Sequence, residues 1–179
     1  MVTVADIQKD LPNWPEEVID PWLIEFANDP DMGWPPPEPH GDHRWGRLLG
    51  QRPISWWKNV TWTLENTDCG FDGLTPKARA DVVDIRNEIS GGAPSPATKR
   101  RWDNLFRYVL NDGSFPVAPV VMRRPEGLSP IDGTHRIAVL SALASIPEAN
   151  FAAKKLAKPA NAQNVWIGRH KDGEFPNAQ

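Results

Sequence analysis

What this chain lacks narrows its chemistry first. One cysteine, Cys69, in 179 residues leaves no internal disulfide and no cysteine-rich zinc site. No stretch approaches the roughly 20 consecutive apolar residues of a membrane span, so no integral membrane segment is predicted. Met1–Asp10 has no basic region followed by an apolar run, the mark of a secretory leader, and a cytoplasmic protein is expected. No G-x-x-x-x-G-K-[ST] run occurs, which excludes an ordinary P-loop ATPase. HExxH spacing is missing too. His40, Asp42 and His43 are the only close His/Asp cluster, and their Gly-rich loop does not by itself aim them at a shared metal.

Base is scarce at the front. Residues 1–38 hold nine acids and only Lys9 as a base, a net of -8, whereas residues 39–179 carry nineteen bases and fourteen acids, a net of +5. The composition predicts an acidic Trp/Pro-rich arm over 1–39, packed on or extending from a body over 40–179. The body's charge permits non-sequence-specific DNA contact without signalling it.

Proline and tryptophan are abundant instead. Nineteen prolines imply extended stretches between few helices. Of nine tryptophans, seven (14, 22, 34, 45, 56, 57 and 62) fall in the first 62 residues. Indole rings at that density serve as core filler, as a platform for stacked bases, or as a protein interface. Arg52 lies close to Trp56 and Trp57, the mixture a single-stranded nucleic-acid surface uses, and Lys99-Arg100-Arg101 is the densest basic run.

Local signals organise the rest. Short helical turns are expected at 15–20 and 21–27, and Pro35–Pro39 reads as an extended spacer. Trp62 and Leu64 alternate with Thr61 and Thr63 as a half-buried strand. Thr75-Pro76 and Ser95-Pro96 each pair an N-cap with proline at the first helical position. The first helix carries Ala78, Val82, Ile85 and Ile89 as its apolar stripe; the second carries Trp102, Leu105, Phe106, Val109 and Leu110. Strands are expected over Phe115–Val121, Leu128–Ile131 and Asn164–Arg169, and another over Phe151–Leu156, where propensity favours helix. The last ten residues read as frayed. The sum is an α/β (α+β) domain: a small mixed sheet with packed helices.

The chemistry concentrates at Leu128–Leu143, L-S-P-I-D-G-T-H-R-I-A-V-L-S-A-L. A strand runs into an Asp132-Gly133 corner, and a helix opens on Thr134, His135 and Arg136. Gly133 allows a sharp turn or close approach of a ligand. The first-turn amides form a natural anion site, and an arginine can grip phosphate in a fork. Asp132 could accept a sugar hydroxyl or hold a metal. The same residues also suit a purely structural account, with Asp132 as N-cap, His135 a surface group and Arg136 paired with a carboxylate.

Ile131-Asp132-Gly133-Thr134-His135-Arg136-Ile137 and its alanine- and leucine-rich helix resemble the phosphate-binding signature of the ParB/sulfiredoxin superfamily, over residues 115–146. That resemblance implies a strand-loop-helix nucleotide site: Gly133, Thr134, His135 and Arg136, with Arg123 and Arg124 neutralising charge. It also implies Asp132, His135 and Glu126 as catalytic groups, ATP as ligand, and Mg²⁺ or another divalent ion, with Asp132 its first candidate ligand. Thr134 stands where sulfiredoxins carry their catalytic cysteine, which argues against sulfinic-acid reduction. The size and tryptophan-rich front half are similar to plasmid fertility-inhibition proteins of the Osa type. This likeness implies ATPase and DNase activity, and suppression of conjugative or T-DNA transfer. The implied partners are DNA and a type IV secretion or coupling protein, the latter placing the chain at the periphery of the inner membrane. A non-catalytic adaptor docking through its tryptophans is the competing expectation.

Overall fold

The computed structural model describes residues 1–92 and 94–177. It is a mixed α/β chain whose four strands, β1 (Val60–Asp68), β2 (Val120–Arg124), β3 (Gly127–Asp132) and β4 (Ala162–His170), pair in the order β1-β4-β2-β3. Two compact units divide it: Met1–Thr63 with Trp166–Gln179, and Leu64–Val165.

The first unit is built on short helices and indoles. Helix α1 (Val4–Asp10) starts on a capping box in which Thr3 and Asp6 satisfy each other's amides. Helix α2 (Glu16–Ile19) runs through a π-helical turn, Asp20–Ile24, into α3 (Glu25–Ala27). Pro21 has no N–H to give, which suits the wider turn there. Helices α4 (Arg44–Leu48) and α5 (Ile54–Trp57) follow. Trp14 stacks on Trp22 with centroids 5.4 Å apart, and both meet Trp57 and Trp62 edge to face. The Trp14 indole donates to the Trp57 carbonyl at 3.2 Å, and the Trp57 indole to that of Leu49 at 3.1 Å.

Residues 1–39 are therefore more than an arm: Ile7, Leu11, Trp14, Val18, Ile19, Trp22 and Leu23 are interior residues of this unit. Burying a single large apolar side chain contributes about 1.5–3 kcal/mol, so this segment is a main source of the unit's stability. Residues 170–177 are tied down as well, where fraying was expected, and the last two residues of that expectation lie outside the described residues. The Asn177 amide donates to the Gly50 carbonyl at 2.9 Å, and the Arg52 guanidinium to the Phe175 carbonyl at 3.2 Å.

The second unit carries the longer helices. Helix α6 (Pro76–Ser90) is capped by the Thr75 hydroxyl and α7 (Pro96–Asp112) by that of Ser95, with Gly113 closing α7 at φ 71°. Both pack on α8 (Thr134–Ala144), whose Ile137 through Ser141 and Leu143 are buried. The stripes are narrower than expected: Ala78 and Val82 are buried on α6, Trp102 and Val109 on α7, and their apolar partners only half-buried.

Strands β2 and β3 form an antiparallel hairpin with Val120 opposite Asp132 and Arg124 opposite Gly127. Two expectations are corrected in this unit. The 115–121 strand begins only at Val120, because Pro116 and Pro119 have no N–H for a ladder. The proposed strand at 151–156 is instead the end of helix α9 (Glu148–Ala153), which opens behind Pro147 as the propensity of its alanines favours.

Candidate functional site

Strand β3 delivers Asp132 to the head of α8, and Gly133 makes the corner between them at φ 90° and ψ 17°. Only glycine adopts that conformation without strain. The space beside it is already filled: a Cβ on Gly133 would stand 2.9 Å from the Pro119 Cβ and 3.1 Å from the Arg136 Cζ. Asp132 is not the helix cap, since Gly133 holds that position and its carbonyl accepts from the Arg136 and Ile137 amides at 2.9 and 3.2 Å. The Thr134 and His135 amides precede the first complete turn and have no intrahelical acceptor.

Arg136 is committed elsewhere. Its Nη2 donates to Asp132 Oδ2 at 2.5 Å and its Nη1 to the Val117 carbonyl at 2.9 Å. The side chains of this pair are 15% and 26% exposed. The fork expected to grip phosphate thus closes on the chain's own carboxylate, and Asp132, the expected metal ligand and catalytic group, is held by it.

The hairpin register separates the other expected residues. Arg123 and Arg124 stand opposite Leu128 and Gly127, and Glu126 lies in the turn between them. Asp132 is four residues further along β3, about 13 Å at ~3.3 Å per residue. Arg123, Arg124 and Glu126 therefore do not converge with His135 on one cleft. Arg123 instead donates to the Thr67 hydroxyl at 3.3 Å and lies 3.7 Å from the Glu65 carboxylate.

His135 has different company. Its half-buried imidazole feels Arg101 of α7 and Glu88 of α6 besides Asp132 and Arg136. Burial, then the Arg101 charge, hold it below its ordinary value near 6.5, against the pull of Glu88 and Asp132. Arg100 and Arg101 are exposed and have no ion-pair partner among the described residues, whereas Lys99 is bound to Asp103 at 2.9 Å. One member of the expected basic run, Arg101, thus has its charge felt at the motif, by His135. Glu88 escaped sequence reading because only the packing of α6 against α8 brings it there.

The aromatic surface expected around Arg52 is not on the outside. Trp57 is fully buried and Trp56 is 8% exposed. Trp56 lies face to face with His170, centroids 4.5 Å apart, with the Arg52 guanidinium 5.3 Å from its own ring centre. Its indole donates to Glu174 at 2.7 Å. Neither ring has a face left for a base. His40 is committed as well, its two nitrogens 2.8 and 3.0 Å from the Pro37 and Arg52 carbonyls, and His43 Nδ1 accepts from the Trp45 amide.

Cys69 is buried just after the end of β1. Burial, then Asp68, push its thiol up to about 12. No helix among the described residues is long and apolar enough to cross a membrane. No protein-family model matches this chain, and neither a curated protein nor a solved structure shows significant similarity to it.

Proposed function

We propose that the second unit binds a phosphate ester at the head of α8 and hydrolyses it, as the ParB/sulfiredoxin resemblance of residues 131–137 implies. In this reading the working groups are His135, Arg101 and the Thr134 and His135 amides, not the Gly133–Arg136 fork. One observation carries it: the His135 imidazole has no hydrogen bond or ion pair among the described residues, and it feels the charge of an exposed arginine that has no partner among them either.

A histidine held below its ordinary value is neutral near pH 7, the form that accepts a proton. Arg101 supplies the charge that a phosphoryl oxygen seeks. The divalent ion of such chemistry finds no ready-made cage, since no three His, Cys, Asp or Glu side chains group together among the described residues. ATP or DNA would be the substrate, and restraint of type IV DNA transfer the setting. The adaptor alternative loses its main support with the burial of Trp14, Trp22, Trp45, Trp56, Trp57 and Trp62.

The test is calorimetric titration with a non-hydrolysable ATP analogue, alongside ATP and single-stranded DNA hydrolysis assays with divalent ion. Arg101→Ala should lose about tenfold in affinity, ~1.4 kcal/mol. His135→Gln should bind within about threefold of the parent while losing on the order of 10²-fold in turnover. A parent protein that binds neither nucleotide nor DNA would remove this reading and leave the adaptor.

A further inference from the structure

A second cation faces a cavity in the same unit, away from the motif. Arg86, on α6, reaches across to α8, where its Nη1 donates to Ser141 Oγ at 3.1 Å and its Nη2 to Ser145 Oγ at 3.3 Å. Ser141 is 7% exposed, and the Ser145 hydroxyl spends its own proton on the Ala142 carbonyl at 2.7 Å. Both partners are neutral. Among the described residues no carboxylate stands within ion-pair distance of Arg86, although the residue is half-buried and its bond to Ser141 is partly shielded from solvent. A charge drawn partly out of water gains most from an anion at short range.

Beside this guanidinium lies a cavity of about 300 Å³. Val83, Ile89, Trp102 and Ala142 give it apolar walls, and Asn87 and Ser90 add an amide and a hydroxyl. It opens to solvent, and its size sets what it can enclose. An engineered apolar cavity of about 150 Å³ holds benzene, so this space encloses one ring and a charged head. The Ser90 hydroxyl gives its proton to the Asn87 backbone carbonyl at 3.4 Å, which leaves the Asn87 amide as the neutral donor. The combination of one unneutralised guanidinium, one neutral donor and apolar walls selects an oxyanion with a compact hydrophobic body.

We propose that the α6–α7–α8 cavity binds a small organic oxyanion of single-ring size, its head on Arg86 and its body against Trp102, Val83 and Ile89. Carboxylates and phosphate monoesters share this chemistry. The site is independent of the His135 assignment and stands whether or not the head of α8 is catalytic.

Ligand-observed NMR and calorimetry on the full chain test it, with benzoate, phenyl phosphate, benzyl alcohol and inorganic phosphate as probes. Saturable binding of benzoate or phenyl phosphate, at least tenfold tighter than benzyl alcohol and than inorganic phosphate, is the expected result. Which of the two binds tighter assigns the head group. Arg86→Gln should lose at least tenfold in affinity for the better probe. Ala142→Leu narrows the cavity while leaving the arginine–serine contacts, and should lose as much with its circular-dichroism spectrum unchanged. Benzyl alcohol or inorganic phosphate binding as well as the ring anions would overturn the proposal, as would no saturable binding at all. Undiminished binding in a folded Arg86→Gln or Ala142→Leu protein would overturn it too. Should both variants fail to fold, the four-probe comparison on the parent decides alone.

Discussion

Arg136 holds Asp132 from four residues away, its Nη2 2.5 Å from the carboxylate and its Cζ packed against Gly133. The contact joins the end of β3 to the first turn of α8, and the second arm of the guanidinium ties in the Val117 carbonyl. Arg136→Ala is therefore expected to destabilise the second unit by about 1–3 kcal/mol, because a largely buried carboxylate loses its charged donor. Arg136→Lys should recover only part, since an ammonium cannot make the fork. Urea unfolding checks both. Unchanged stability with lost nucleotide binding would instead return Arg136 to the ligand.

Gly133→Ala should cost roughly 1–3 kcal/mol through its left-handed backbone alone. The Pro119 contact at 2.9 Å adds to that, because the neighbouring proline ring cannot swing aside. Thermal unfolding of this variant, with Gly92→Ala as a control, separates the two causes. Gly92 also has positive φ, at +81°, but its added Cβ would meet nothing within 4 Å.

For His135 the folded value lies below its ordinary 6.5, so the unfolded chain binds the proton more tightly. Stability is then undiminished above pH 6.5. It falls as the pH is lowered through 6.5, and the decline stops below the folded value. Chemical unfolding at closely spaced pH between 7.5 and 5 should show this slope, and His135→Gln should flatten it. Any hydrolysis that uses His135 as base should keep its activity to a pH below 6.5 before declining.

Much of this local structure was legible in the sequence because its causes are local. Thr75-Pro76, Ser95-Pro96 and Gly113 announce the limits of α6 and α7 within a few residues, and Gly133 announces its corner. The fate of the first 39 residues was not legible, since Trp14 meets Trp57 at a distance of 43 positions. Charge composition predicts an arm for a segment whose residues are interior at every third or fourth position, from Ile7 and Leu11 through Trp14, Val18 and Trp22. The motif misled for a different reason. An arginine fork satisfies a phosphate and a carboxylate with the same geometry, and only coordinates tell which one it holds.

Cys69 should prove dispensable. With its thiol pushed up to about 12 and its side chain buried, it carries almost no thiolate at pH 8. A chromogenic disulfide reagent should react with the native protein far more slowly than with the urea-unfolded chain, and Cys69→Ala should retain any hydrolytic activity. A fast-reacting native thiol, or a folded but inactive Cys69→Ala protein, would contradict this.

Any DNA contact should be carried by phosphate neutralisation at Arg100 and Arg101, without base stacking by Trp56 or Trp57. Binding titrations on unrelated oligonucleotides across a salt series should give falling affinity. Arg100→Ala/Arg101→Ala should reduce the log–log salt slope by about 1.4–1.8. Equal affinity for single and double strands at matched charge is expected from the buried rings. A strong single-strand preference abolished by Trp56→Leu would reject the account.

The indole cluster also turns the chain into its own optical instrument. Tryptophans 14, 22, 34, 45, 56, 57, 62 and 166 belong to the first unit, and Trp102 alone to the second. Rings as close as Trp14 and Trp22 interact in their excited states, so emission and near-ultraviolet dichroism from this protein are dominated by the first unit. Replacing Trp102 with phenylalanine would leave the second unit without tryptophan, and the difference spectrum would isolate a single indole on α7. Melting curves followed by fluorescence and by backbone dichroism then report different parts of one polypeptide, and any gap between them measures how independently the two lose their structure.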